Sequence, residues 1–230
     1  MNDAQIRRWH VFPDKDELIT ELRYLLLQEA EKSIKKHARF NIVLAGGETP
    51  VALYRSLINA KTEWQAWHIY FSDERCLPQD DPQRNDQMAK TAWLNHVSIP
   101  SDQIHSIPAE LKPEEGAKQH HEQLNNAGQF DLVLLGLGED GHTASLFPNS
   151  KAIYSDENTI AVTDAPKLPP ERISLSAQRL SQTGKLFFIV TGCNKQNAVQ
   201  RWRNDESIPA ALIKPDVGVD VFLDALAAGK

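Results

Sequence analysis

The residues best placed to do chemistry lie in one stretch, 131–148, which reads Asp-Leu-Val-Leu-Leu-Gly-Leu-Gly-Glu-Asp-Gly-His-Thr-Ala-Ser-Leu-Phe-Pro. An apolar run, Leu132 to Leu135, has the length of a strand buried on both faces of a parallel sheet. Gly136, Gly138 and Gly141 then frame Asp140 and His142 at the point where such a strand surfaces. Ligands bind at that end of the strands in open parallel sheets. Histidine exchanges a proton near neutral pH, and a carboxylate two residues away can orient it or the substrate, so His142 with Asp140 reads as a general base and its partner. The same histidine also reads as a hydrogen-bonded loop residue.

Three other stretches repeat the pattern of strand, glycine or polar turn, and helix. Leu44-Ala45-Gly46-Gly47-Glu48-Thr49-Pro50 offers backbone N–H groups and a helix dipole to an anion, phosphate first, or is an ordinary tight turn. Glu48 suits an anion poorly, so its side chain is expected to point away. It is not a nucleotide P-loop, which needs a different spacing and a Gly-Lys-Ser/Thr ending. In Ser72-Asp73-Glu74-Arg75-Cys76-Leu77-Pro78, Arg75 can pair with phosphate or carboxylate oxygens and Asp73 can accept from sugar hydroxyls, unless the segment is a solvated charged turn. Thr191-Gly192-Cys193-Asn194-Lys195 places Lys195 where it is either a phosphate ligand or a surface lysine. Two motifs mislead. Residues 136–141 match G-x-G-x-x-G, but Glu139 and Asp140 within them would repel a pyrophosphate. Ser145 lacks the G-x-S-x-G elbow of a serine hydrolase.

These sites need elements to hold them. Periodicity predicts strands at 9–12, 40–45, 67–71, 131–135, 159–163, 172–176 and 186–191, and helices at 14–37, 50–58, 85–96, 113–126 and 194–202. Pro13 and Asp14 supply a start signal for the first helix, and Thr49 reads as a cap before Pro50. Such alternation predicts an α/β fold, a mainly parallel sheet with helices on both faces, formed as one domain over 1–230. Residues 165–171, with three prolines, read as a loop. A chain of 230 residues, 41% hydrophobic and 24% charged, is long enough for a sizeable core. Its net charge of −6 argues against a general nucleic-acid binder. No apolar run approaches membrane-spanning length and the N-terminus lacks an apolar leader, so no membrane association and a cytoplasmic location are expected. Cys76 and Cys193 have no paired-ligand spacing, so neither a disulfide framework nor a zinc site is expected.

Taken together, Ala-Gly-Gly-Glu-Thr-Pro at 45–50, Ser-Asp-Glu-Arg at 72–75 with Pro78, the block 135–148, Arg-Ile-Ser-Leu-Ser at 172–176 and Phe-Leu-Asp at 222–224 resemble the 6-phosphogluconolactonases related to glucosamine-6-phosphate deaminases. The matches span most of the chain in the family's order, the block at 135–148 being the specific one. Glu48 departs from the family's usual serine or threonine, and Cys76-Leu77 from the valine that commonly precedes the proline. The resemblance implies a Rossmann-like fold, no required cofactor or metal, and hydrolysis of 6-phospho-D-glucono-1,5-lactone, a small phosphorylated sugar lactone, in the oxidative pentose phosphate pathway. On that basis His142 is the expected base with Asp140 orienting it or the substrate. The backbone N–H groups of the loop from Gly136 through Gly138 to Gly141 are the expected candidates for the oxyanion contact. Gly46, Gly47, Thr49, Arg75, Arg172 and Lys195 hold phosphate, while Asp73 meets the sugar. The alternatives are an amino-sugar-phosphate deaminase or isomerase and a non-catalytic sugar-phosphate sensor. Against the first, the related deaminases carry glutamate before the proline that ends this block, and here that position is Phe147. Glu139 or Asp164 would have to replace it.

Overall fold

The computed structural model describes residues 5–125 and 127–230. The strands are β1 (Arg7–Phe12), β2 (Phe40–Leu44), β3 (Trp67–Phe71), β4 (Asp73–Arg75), β5 (Leu132–Gly136), β6 (Thr159–Val162), β7 (Arg172–Leu175), β8 (Leu186–Val190) and β9 (Val219–Asp224). The α-helices are α1 (Lys15–His37), α2 (Glu48–Leu57), α3 (Asn85–Ala92), α4 (Pro113–Leu124), α5 (Ala177–Ser181), α6 (Gln196–Arg203) and α7 (Ala225–Ala228). The first helix starts where its sequence signals it: the Asp14 carboxylate accepts from the N–H groups of Asp16 and Glu17, both at 2.9 Å. It stops at Ala38, which turns left-handed at φ 60°. The predicted end of α4 at Asn126 lies outside the described residues.

Six strands form one parallel sheet in the order β1-β9-β8-β5-β2-β3. Pleating sends alternate side chains to opposite faces. Thus Leu132 and Leu134 of β5 join the layer under α1, α2 and α3, with Leu22, Leu53 and Trp93, while Val133 and Leu135 join the layer under α5 and α6, with Leu180 and Trp202. Burial on both faces explains why these strands read as continuous apolar runs. The chain runs outward from β2 to β3 on one side and from β5 to β8 and β9 on the other, so the topological switch falls between β2 and β5.

β6 and β7 lie outside the parallel sheet. With β4 they form a second, antiparallel sheet in the order β4-β7-β6. The segment between them, 163–171, is shorter than the roughly dozen residues a parallel crossover needs, so the pair closes antiparallel. Ser72 joins the two sheets at the switch: its N–H donates to Leu44 O at 2.9 Å and its carbonyl accepts from Leu175 N at 2.8 Å.

Candidate active site

The carboxyl ends of β2, β3 and β5 and the edge of the second sheet enclose a cavity of about 230 Å³. Its wall includes Gly46, Gly47, Asp73, Arg75, Gly136, Gly138, His142, Arg172 and Lys195, nine of the sequence-predicted residues, brought together from five separate segments.

His142 is held from behind. Its Nδ1 bonds the Asp140 carboxylate, which also accepts from the His142 N–H at 3.1 Å. Asp140 is therefore behind the imidazole rather than on the cavity wall, and Nε2 is left as the nitrogen for chemistry. Gly138 makes room for the ring, since a Cβ there would lie 1.9 Å from Nδ1. Burial lowers the His142 pKa and outweighs the opposing pull of Asp140, so the imidazole is neutral and able to take a proton near pH 7. The Asp140 carboxyl, raised by burial but lowered more by its bonds to His142, stays ionised. Phe147, 2% exposed, packs against the imidazole with centroids 4.7 Å apart. The Arg172 guanidinium lies over the Phe147 ring, 5.6 Å from its centroid.

Asp73 is fixed by three donors: Ser145 Oγ at 2.6 Å, Ser72 Oγ at 3.2 Å and Asn85 Nδ2 at 3.2 Å. Ser145 thus supports a buried carboxylate, and it is itself 1% exposed.

Four cations line the cavity, Arg75, Lys167, Arg172 and Lys195, and none has an ion-pair partner among the described residues. Burial lowers the pKa of Lys195 and of Arg172, marking charges partly stripped of water. Arg75 Nε is buried without a partner among the described residues. In a chain of net charge −6, so many uncompensated cations in one cavity make a site for an anion. Lys167 escaped sequence reading because it is a lone lysine in a proline-rich loop. Arg172 holds that loop: its Nε donates to Pro169 O at 3.0 Å and its Nη2 to Lys167 O at 3.1 Å and Leu168 O at 3.3 Å.

Three expectations need correction. Thr49 is neither the helix cap nor on the cavity wall: α2 begins at Glu48 with Gly47 as its N-cap, and Thr49 Oγ1 bonds Thr191 Oγ1 at 2.6 Å. Within the glycine loop, Gly138 N–H donates to His142 O at 2.7 Å and Gly141 N–H to Gly138 O at 3.0 Å, so neither proton is left for an oxyanion. Gly141 is structural, at φ +89° beneath Ile208, which a Cβ would meet at 2.7 Å. Glu48, as expected, is exposed and turned to a neighbouring groove. Nor do Glu139 and Asp164 replace the missing glutamate, because both are exposed and off the cavity wall, and Glu139 accepts from Asn194 Nδ2 at 2.7 Å. Among the described residues no three His, Cys, Asp or Glu side chains cluster to hold a metal ion, and no helix is long and apolar enough to cross a membrane.

A parallel sheet with a charged cleft at its switch point places the chain among the α/β proteins that take an anionic small molecule at the strand ends. The chain belongs to the family described as glucosamine-6-phosphate isomerases/6-phosphogluconolactonase, whose model matches residues 13–222. It is 35% identical to a 6-phosphogluconolactonase of Nostoc sp. strain PCC 7120, over 96% of each chain. It is likewise 35% identical to a 6-phosphogluconolactonase of Mycobacterium tuberculosis, over 87% of this chain and 89% of that one. Among solved structures, a 6-phosphogluconolactonase from Thermotoga maritima superposes with TM-score 0.89 at 25% identity, covering 95% of this chain and 100% of that one. A monomeric glucosamine-6-phosphate deaminase shares the fold, with TM-score 0.81 at 18% identity, over 96% of this chain and 99% of that one.

Proposed function

We propose that the protein hydrolyses 6-phospho-D-glucono-1,5-lactone to 6-phospho-D-gluconate, the lactone-opening step of the oxidative pentose phosphate pathway. The observation that carries this reading is the His142 imidazole, held through Nδ1 by Asp140, on the wall of a cavity lined by four cations without ion-pair partners among the described residues. Its relatives in Nostoc and Mycobacterium support it through the activity in their names.

The chemistry follows from the groups. Arg75, Arg172, Lys167 and Lys195, with the turn at Gly46 and Gly47, hold the phosphate and make attack on the lactone effectively intramolecular. Water adds its oxygen to the ring carbonyl carbon while His142 Nε2 takes its proton. The C–O bond to the ring oxygen then breaks, and that oxygen recovers the proton from His142. Lys167 lies near enough to depress the His142 pKa, so its charge also bears on the oxyanion that forms between these steps. Asp73, held by its three donors, accepts from a sugar hydroxyl.

Phe147 separates this reading from amino-sugar deamination. A phenyl ring against His142 can neither accept a proton nor stabilise an imidazolium as a carboxylate does, and Glu139 and Asp164 lie off the cavity wall. Purified protein given fresh lactone is expected to produce acid well above the spontaneous rate and to release no ammonia from glucosamine 6-phosphate. Ammonia release without faster lactone opening would overturn the assignment, and binding without turnover of either would make the protein a sensor.

A further inference from the structure

The β4 residues that face the cavity, Asp73 and Arg75, depend on one carboxylate that never reaches it. Glu74 is the middle residue of β4, between Asp73 and Arg75, and is 0% exposed. Its Oε1 accepts from Asn85 N at 2.7 Å and from Arg75 N at 2.8 Å, and its Oε2 from Asp86 N at 2.9 Å. Asn85 and Asp86 are the first two residues of α3, whose own N-cap, Arg84, makes no side-chain capping bond because a guanidinium has no acceptor. Glu74 therefore caps α3 from a strand that precedes it in the chain, and the cap fixes the helix start against β4.

That joint has a consequence inside the cavity. Asn85 Nδ2 donates to Asp73 O at 2.9 Å and to Asp73 Oδ1 at 3.2 Å. Its amide oxygen lies directly under Gly46, where a Cβ would come within 2.2 Å. One asparagine thus braces the Asp73 carboxylate and touches the glycine turn that begins α2. Arg84, 1% exposed, secures the far side of the helix start, donating to Asp86 Oδ1 at 3.1 Å, Glu110 Oε2 at 2.8 Å and Ile107 O at 2.8 Å. The joint meets the segment that carries His142 only through Asp73, whose carboxylate also accepts from Ser145 Oγ at 2.6 Å.

We infer that Glu74 is a positioning residue for substrate binding, acting through Asn85 to set Asp73, Arg75 and the Gly46 turn at the spacing the bound sugar phosphate requires. This rests on the lactonase reading and adds a division of labour to it: the Glu74 joint governs affinity, while the His142 loop governs the chemical step.

The test is Glu74→Gln, nearly isosteric, in which the amide nitrogen cannot accept from a backbone N–H. Wild type is assayed first, with spontaneous hydrolysis subtracted, and absence of turnover there would sink the lactonase reading itself. With wild type active, E74Q is expected to raise KM about tenfold, equivalent to about 1.4 kcal/mol. Its kcat should stay within about twofold of wild type. Asn85→Ala should give the same KM rise, and the double variant should be no worse than N85A alone, since both act through one joint. Unchanged KM in E74Q, a fall in kcat at constant KM, or strictly additive effects in the double variant would each overturn the inference. Should E74Q be recovered unfolded, N85A alone decides: raised KM at intact kcat supports the joint, and lost kcat at unchanged KM refutes it.

Discussion

At the scale of single residues, His142 and Asp140 make the sharpest demand on experiment. Replacing His142 by glutamine removes the only imidazole on the cavity wall among the described residues. Turnover should fall about 10²- to 10⁴-fold, the usual cost of losing a general base, while affinity for 6-phosphogluconate stays close to wild type. A folded H142Q enzyme with near-normal kcat would remove it from the mechanism. The pH dependence follows with a definite sign. The active form is the neutral imidazole, and burial places its pKa below the ordinary histidine value, so kcat/KM should be flat above that pKa and fall as pH drops through it. Asp140 pulls this pKa upward, so Asp140→Asn should move the acid limb to still lower pH while reducing the rate, since the ring loses its anionic partner. An acid limb that moved up in D140N would contradict that account. His142 was legible in the sequence because a glycine-framed histidine after an apolar run is uncommon chemistry in a predictable place. Lys167 and Asn85 were not, because each is an isolated polar residue whose importance exists only once 163–171 and the start of α3 close around the cavity.

At the scale of elements, β9 sets where β8 delivers Lys195. Asp224, the last residue of β9, accepts from Gly192 N with both carboxylate oxygens at 3.0 Å and from Ala227 N at 2.7 Å, so it caps α7 and pins the turn that leads to Lys195. Truncation to alanine leaves both N–H groups without this acceptor. Asp224→Ala should lower unfolding free energy by about 1–3 kcal/mol, measured by urea denaturation. It should also weaken 6-phosphogluconate more than unphosphorylated gluconate, measured by calorimetry; equal weakening of the two would detach Asp224 from the phosphate end. Elements differ in how plainly they announce themselves. β2, β5 and β8 were readable as apolar runs because both their faces are covered. β4 was not, because Asp73, Glu74 and Arg75 form a strand made wholly of charged residues, the first two buried and stabilised by bonds from Asn85, Asp86 and Ser145 that no periodicity reveals. β9 shows in the sequence only as the Phe-Leu-Asp ending at 222–224, because its apolar run is interrupted by Asp220, which bonds Arg8 at 2.8 Å and His10 at 2.9 Å across the sheet. The split into two sheets was hidden because strand type is local whereas strand direction depends on crossover length.

At the scale of the whole molecule, the site depends on the second sheet staying docked to the first, and a buried histidine on α4 makes that docking sensitive to acid. α4 packs on β6 and β7. Its His120 is 1% exposed, with Nδ1 bonded to Thr159 Oγ1 at 3.1 Å and Nε2 buried without a partner among the described residues. Burial first, then the nearby Arg179, His105 and His121, pushes its pKa down to about 3. The unfolded chain would take up that proton near the ordinary histidine value of about 6.5. Above that pH both states carry a neutral ring and the group contributes no pH dependence. Below it the unfolded state binds a proton that the folded state refuses, so stability falls with falling pH, by up to about 1.4 kcal/mol per pH unit from this group alone. His68, His105 and His142, also lowered chiefly by burial, add slopes of the same sign. Denaturation curves for wild type and His120→Gln, taken at intervals between about pH 7.5 and 5, should therefore show wild-type stability falling more steeply, the difference opening only below about pH 6.5. Parallel curves would mean that His120 is protonated in the folded protein or that α4 has already left the sheet.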